Sequence, residues 1–334
     1  MTMQRITVTP LAWLIIGAVS LGLAYFVVYP IHVLQILCFM VFAAAFNLLI
    51  GHAGVLSLGH AAFFGSGAYL AGILMKTGST TPELALLAAT GATLVLGLLM
   101  GAIAIRRQGI YFAMITLALA QLVYFIAFQS PATGGDDGLQ GIPRGAVLGR
   151  FSLESNGAIY LFVSAISLLS LWAIHRIGCS PFGSLLRAIR QNEDRAISLG
   201  YATRRYRLAA FVISAGFAGL AGGMKALVLQ LASLTDISFF ISGEVVLIVL
   251  LGGIGVFAGP LVGAALLIGF QLVFVSSPVP VPFVLGIVFV VCVLAFPRGI
   301  VGEIVARLPA QSPSSNSPAG QEHERPKEER EHSW

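Results

Sequence analysis

The stretch Glu83-Leu-Ala-Leu-Leu-Ala-Ala-Thr-Gly-Ala-Thr-Leu-Val-Leu-Gly-Leu-Leu-Met-Gly-Ala-Ile-Ala-Ile105 carries one charge, at its first residue, and runs directly into Arg106-Arg107. A helix needs about 20 mostly apolar residues to cross a bilayer core, and this stretch supplies them. Working outward, nine more runs read the same way: 11–29, 31–50, 61–75, 109–129, 158–175, 207–230, 242–258, 260–276 and 281–297. The run 61–75 is short and follows a glycine-rich stretch, and 242–258 is parted from 260–276 only by Gly259-Pro260. The expected fold is therefore an all-α integral membrane protein, a polytopic bundle of about 8–10 transmembrane helices.

Composition agrees. Of 334 residues, 57% are hydrophobic and 10% charged, against roughly 25% charged in a soluble domain. The first run follows a head with one basic residue, Arg5, and no small-x-small cleavage site precedes Tyr29-Pro30, so it reads as a retained span. The tail 309–334 is rich in Ser, Pro, Glu, Arg and Lys, cannot bury a core and reads as a disordered appendage to a transmembrane domain over 1–308.

Charge placement fixes an orientation. With the N-terminus in the cytoplasm and ten crossings, Arg106, Arg107, Arg298, Arg307 and all seven arginines between Arg176 and Arg207 fall inside, while Lys76, Arg144 and Arg150 fall outside, as the positive-inside rule requires. That seven-arginine connector carries only Glu193 and Asp194 in return, a surplus of five that equals the net charge of the chain. The basic pI therefore belongs to one loop, and no basic helix interleaved with aromatics argues for nucleic acid.

Within that loop, Ser180 can cap a helix whose first residue is Pro181 and whose left-handed stop is Gly200. Phe182, Leu185, Leu186 and Ile189 make one apolar face; Arg187, Arg190, Gln191, Glu193 and Asp194 make the other. Such a helix lies on anionic lipid or inserts as a lever into a partner protein, and the pattern alone leaves both open.

Three other sets of residues stand out. Gly51 to Gly67 and Gly252 to Gly263 interrupt the helical pattern about 200 residues apart, and paired interruptions point to a translocation path. The path candidates are Asn47, Gly51, His52, Ser57, Gly59, His60, Lys225, Glu244, Gly252 and Gly253, with tight packing as the competing reading for the glycines. Lys225 and Glu244, near the outer ends of their spans, are expected to pair with each other. In the outer loop, Thr133, Gly134, Gly135, Asp136 and Asp137 form either a docking surface or a solvated turn.

No chemistry is encoded. Cys38, Cys179 and Cys292 lie far apart, the six histidines lack ligand spacing, and no nucleophile–base set occurs, so neither metal, cofactor nor catalytic residue is expected. None of the three lysines, Lys76, Lys225 and Lys327, follows a glycine, so the phosphate-binding G-x-x-x-x-G-K-[ST] loop is missing and any ATP motor is another chain.

The run Arg187-Ala-Ile-Arg-Gln-Asn-Glu-Asp-Arg-Ala196 with Gly200 resembles the cytoplasmic coupling loop of the branched-chain amino acid permeases of ATP-binding-cassette importers. So do Asn47-Leu-Leu-Ile-Gly-His-Ala-Gly-Val-Leu-Ser-Leu-Gly-His60, Thr133-Gly-Gly-Asp-Asp-Gly-Leu139, Ser242-Gly-Glu-Val-Val and Leu251-Gly-Gly-Ile-Gly-Val-Phe-Ala-Gly-Pro260, in order over about residues 30 to 300. The resemblance is to the longer of that family's two permease types. It implies a bacterial inner-membrane subunit with both termini cytoplasmic, translocating branched-chain or other hydrophobic amino acids, or related amides, by alternating access. It implies as partners two cytoplasmic ATPase subunits, a second related permease and an external solute-binding protein, and it makes Phe182, Arg187, Arg190, Glu193, Asp194 and Gly200 the coupling residues within a loop of about 178–206. An ion-gradient-driven transporter of small solutes is the alternative. It wants mid-span carboxylates, whereas Glu83 and Glu244 lie near span ends.

Overall fold

The computed structural model describes Gly22 and residues 29–78, 80–147, 149, 151–274, 281–295 and 299–307. The expected first span (11–29, but for Gly22 and Tyr29), Arg5, Arg150, Arg298, the tail 309–334 with Lys327, and the side chains of Cys292 and Arg307 lie outside the described residues.

Twelve α-helices occur among the described residues: α1 (Pro30–Asn47), α2 (His60–Lys76), α3 (Pro82–Ala104), α4 (Ile110–Gln129), α5 (Asn156–Cys179), α6 (Pro181–Gln191), α7 (Glu193–Ser198), α8 (Thr203–Leu229), α9 (Phe239–Gly252), α10 (Ala258–Phe274), α11 (Val281–Ala295) and α12 (Ile300–Arg307). A wider π-turn, Leu48–Ala53, prolongs α1. Proline opens α1, α3 and α6, where its missing N–H costs no helix bond. Ser155 and Ser180 cap α5 and α6, accepting from the N–H of Ala158 and Gly183.

α1, α2 and α8 are the centre of the bundle; α3, α4 and α5 surround it. The outer helices expose Leu87, Val95, Leu99, Met114, Leu122 and Phe125 in continuous apolar stripes. In water such stripes would be an aggregation hazard; around a membrane bundle they are the lipid-facing surface. The five longest helices, α1 with its π-turn, α3, α4, α5 and α8, are each long and apolar enough to cross.

Close approach in the centre rests on missing side chains. A Cβ on Gly67 of α2 would overlap the backbone of Gly219 on α8, and one on Gly222 would overlap the Phe64 carbonyl. Gly97 of α3 sits against Ala215, whose methyl would lie 2.6 Å from an added Cβ. Lipid tails are as apolar as leucine, so helix association depends on this contact distance rather than on burial from water.

Two expected elements need correction. The run 242–258 is not one helix: α9 begins earlier, at Phe239, and stops at Gly252, because Gly253 (φ 114°) and Gly255 (φ 82°) adopt conformations closed to residues with a Cβ. At 14 residues α9 is about 21 Å long and does not by itself cover a core of about 30 Å. The single helix expected over 181–200 is two, α6 and α7, because Asn192 turns extended (φ −155°, ψ 102°) and its side chain caps α7 through the Arg195 N–H.

Connectors gather at two ends. At one end are the turn 51–59, the break 253–257 and the arginine-rich α6–α7 segment, where Arg190 meets Gly51 and Gly54. At the far end β1 (Leu139–Gln140) pairs antiparallel with β4 (Leu231–Ala232), β2 (Ala146–Val147) pairs with β3 (Phe151–Ser152), Lys76 donates to the Gln140 carbonyl and Arg144 to that of Val228.

Gly67→Val is expected to abolish the folded, monodisperse protein in detergent, measured by size-exclusion chromatography. Gly91→Ala, with nothing within 4 Å of the new methyl, is expected to leave the profile unchanged.

Candidate functional site

Asn47 joins the two interruptions. It is buried at the end of α1. Its Oδ1 accepts from the Gly255 N–H at 2.9 Å and its Nδ2 donates to the Val256 carbonyl at 3.2 Å, across some two hundred residues of sequence. Non-helical backbone packed against protein must find its partners there, and here one amide side chain supplies both. Gly51 allows the approach: a Cβ there would lie 2.9 Å from Gly255 Cα and 2.7 Å from Asn47 Oδ1. Gly252 packs on Gly259, and Gly253 on Gly299 at the head of α12.

The arginine loop reaches the same point. Arg190 lays its aliphatic stem against Gly54 (φ 70°) and donates its guanidinium to the Gly51 carbonyl, within 3.8 Å of where a Gly255 Cβ would be. α6 is held in place by its apolar face, with Leu186 and Ile189 buried and Phe182 tilted against Tyr206 at 6.1 Å. Arg187 donates to the Gly178 carbonyl at 2.9 Å. Glu193 is turned inward: it accepts from Thr203 at 3.1 Å and pairs with Arg207 at 2.8 Å, fastening α7 to α8. Asp194 and Gly200 are exposed, the latter with the left-handed φ of 86° that its role as a stop requires.

The other path candidates separate into two groups. In the middle of the bundle, His60 opens α2 and is fully buried among Phe42, Phe46 and Phe63, with ring centroids 5.3 to 5.8 Å away. Ser214 of α8 gives its one hydroxyl proton to the Ala45 carbonyl, so the 3.0 Å contact with His60 is a bond from Nε2–H to Ser214 Oγ. That assigns the tautomer and leaves Nδ1 a buried acceptor with no protein partner. The rising segment before His60 is pinned by Thr116 of α4, whose Oγ1 accepts from the Leu58 N–H at 3.3 Å, and by Gly59, which abuts the Thr116 carbonyl. Ser57 Oγ and His52 Nδ1 are buried without a protein partner, His52 lying against Gly178 of α5.

Towards the far end, Lys225 pairs with Asp236, not with Glu244. Asp236 lies in the short turn Leu234–Ile237, and its second oxygen accepts from the Ser233 N–H at 3.2 Å, closing a capping box. Glu244 instead accepts from Gln271 of α10. The expected pairing failed because α8 ends at Gln230 in a left-handed turn (φ 54°) and the following segment folds back over Lys225, bringing Asp236 nearer than α9. The pattern Ser233-x-x-Asp236 was the signal for that turn. In the outer loop, Thr133 donates to the Ala127 and Ser130 carbonyls, Gly134 and Gly135 take left-handed φ values, and Asp136 and Asp137 are exposed. Among the described residues no cluster of His, Cys, Asp and Glu is arranged to hold a metal ion.

The family described as "Branched-chain amino acid transport system / permease component" matches residues 31–295. The chain is 31% identical to the high-affinity branched-chain amino acid transport system permease protein LivM of Escherichia coli strain K12. It is 30% identical to that of Salmonella typhimurium strain LT2. Each match runs over 258 residues, 69% of this chain and 60% of the relative, so the chain spans less than two thirds of those proteins. No solved structure matches the chain.

Asn47→Leu orphans the part-buried Gly255 N–H and is expected to destabilise the protein by about 1 kcal/mol, measured as a lowered unfolding midpoint in detergent.

Proposed function

The chain belongs to the family of branched-chain amino acid transport permease components, and on that premise we propose that it is the translocating subunit of an ATP-driven importer for hydrophobic amino acids or related amides. It is a multi-pass membrane protein. Its arginine-rich end faces the cytoplasm of a bacterial inner membrane, and both termini lie on that side. Two cytoplasmic ATPase subunits grip the loop of about 178–206, a second related permease completes the path, and a binding protein delivers solute to the far end near Asp136 and Asp137.

The observation that carries this reading is the contact of Arg190 with Gly51 beside the Asn47 bridge. A lever must touch what it moves. The coupling helix α6 touches the point where both interruptions of the bundle meet, so displacing it strains both together. Arg187, Asp194 and the exposed side of α6 remain for the ATPase, while Phe182 and Glu193 hold the lever to α8. The path runs from the Lys225–Asp236 level past His60 to the Asn47 junction. No solute chemistry takes place on it, since transport changes only which side is open.

Arg190→Ala together with Glu193→Ala is expected to reduce ATP-driven leucine uptake in proteoliposomes at least tenfold while ATP hydrolysis by the assembled complex continues. Uptake at the wild-type rate removes the coupling role of α6. Cysteine at position 194 is expected to react with a membrane-impermeant maleimide only from the cytoplasmic side, and cysteine at 136 only from outside.

A further inference from the structure

A cavity of about 390 Å³ opens between α6 and the first turns of α8, lined by Phe182, Tyr201, Arg205, Tyr206 and Ala209 among others. We propose that it is a binding site for an anionic phospholipid, the phosphate seated against Arg205 and an acyl chain running along α8. The inference requires only that the chain spans a membrane.

Charge is the first argument. Among the described residues Arg205 is the one charged group lining the cavity, and Tyr201 and Tyr206 bring phenols, which donate to phosphate oxygens. Arg204 is its exposed neighbour. Gly97 of α3 lies against Val212 and Ala215, and Gly101 against Leu208 and Phe211. One further turn of this antiparallel pair brings the end of α3, with Arg106 and Arg107, level with Arg204 and Arg205. Phe112, at the start of α4, meets the Phe211 ring edge-on at 5.8 Å and holds the intervening turn there. Arg144, Arg187 and Arg190 are engaged by carbonyls, and Arg207 by Glu193. Arg106, Arg107, Arg204 and Arg205 are exposed and make no ion pair or side-chain hydrogen bond among the described residues. Four like charges at one level call for an anion.

What lies beyond the charges makes that anion a lipid. From Arg205, the residues Ala209, Ile213 and Phe217 follow at four-residue spacing along one face of α8, and each is partly exposed. A partly open apolar furrow therefore leaves the cavity along the helix. On α3 the exposed stripe Val95, Leu99 and Ile103 runs into Arg106, and on α4 the exposed stripe begins with Tyr111 and Met114 just past Arg107. Arginines and tyrosines with apolar surface immediately beyond them suit a ligand that is anionic at one end and hydrocarbon at the other. A soluble anion would leave the furrow bare, and an acidic protein surface has no reason to follow α8 into its span.

The test titrates the full-length chain in non-ionic detergent with phosphatidylglycerol, with phosphatidylcholine of the same acyl chains, and with inorganic phosphate at constant ionic strength, counting bound lipid by native mass spectrometry. An arginine near an anionic surface is worth about fivefold in affinity. Phosphatidylglycerol is expected to bind saturably, roughly 25-fold more tightly than phosphatidylcholine through Arg204 and Arg205, and phosphate is expected not to displace it. Arg204→Gln with Arg205→Gln removes that preference. Ala209→Phe fills the cavity without altering charge and is expected to weaken phosphatidylglycerol about fivefold or more, which keeps the test open if the double variant fails to assemble. Arg195→Gln, an exposed arginine of α7, leaves binding unchanged. Equal binding of the two lipids, displacement by phosphate, an equal loss on Arg195→Gln, or wild-type binding by Ala209→Phe overturns the proposal. So does wild-type lipid binding by the double variant; if that variant instead loses its ATPase subunits on purification, the arginines serve the motor.

Discussion

Backbone packed away from water must find its partners inside the protein, and this protein carries two breaks in its helices that meet at one end of the bundle. The structure satisfies that constraint with a single side chain. Asn47 accepts from one strand of the second break and donates to the next residue of it, while standing at the lip of the first. Leucine in its place would leave a part-buried N–H orphaned, a β-carbon on Gly51 would push the segments apart, and one on Gly255 would strain its left-handed backbone. The breaks are therefore mechanically one object, and whatever bears on Gly51 bears on Gly255.

The arginines of the connector do more than orient the chain. Arg187 and Arg190 each give one N–H to the carbonyls of Gly178 and Gly51, Arg207 pairs with Glu193, and Arg176 lies over the Trp172 ring at 5.9 Å. Guanidinium groups suit helix ends and breaks because several donors leave one planar fork, reaching carbonyls the helix cannot use. At the far end the Lys225–Asp236 pair is a buried ion pair with a backbone N–H as its third member. Such a pair adds little net stability once desolvation is counted, but losing either partner leaves a charge in an apolar medium. It fixes where the turn 234–237 lies on α2.

Between these two ends the bundle is held by contact distance. Gly67, Gly219 and Gly222 bring α2 and α8 backbone to backbone, and His60 with Ser214 adds a polar cross-link. A mobile segment needs firm neighbours to move against. Here the firm part is the glycine-packed pair α2 and α8, and the discontinuous part is α1 with its π-turn, α9 and the start of α10.

The sequence by itself determined the membrane class and, among the described residues, most of the apolar helices, because hydrophobic run length acts locally along the chain. It also marked Asn47, Gly51, Gly252 and Gly253 as exceptional, since polar groups and glycines interrupt apolar runs conspicuously. Only the tertiary structure decided that Lys225 meets Asp236 and not Glu244, and that Arg190 reaches Gly51 beside the Asn47 bridge. Those outcomes depend on how far each chain reversal folds back and which backbone then approaches most closely. Distances between residues remote in sequence are set by packing, and no local pattern carries them.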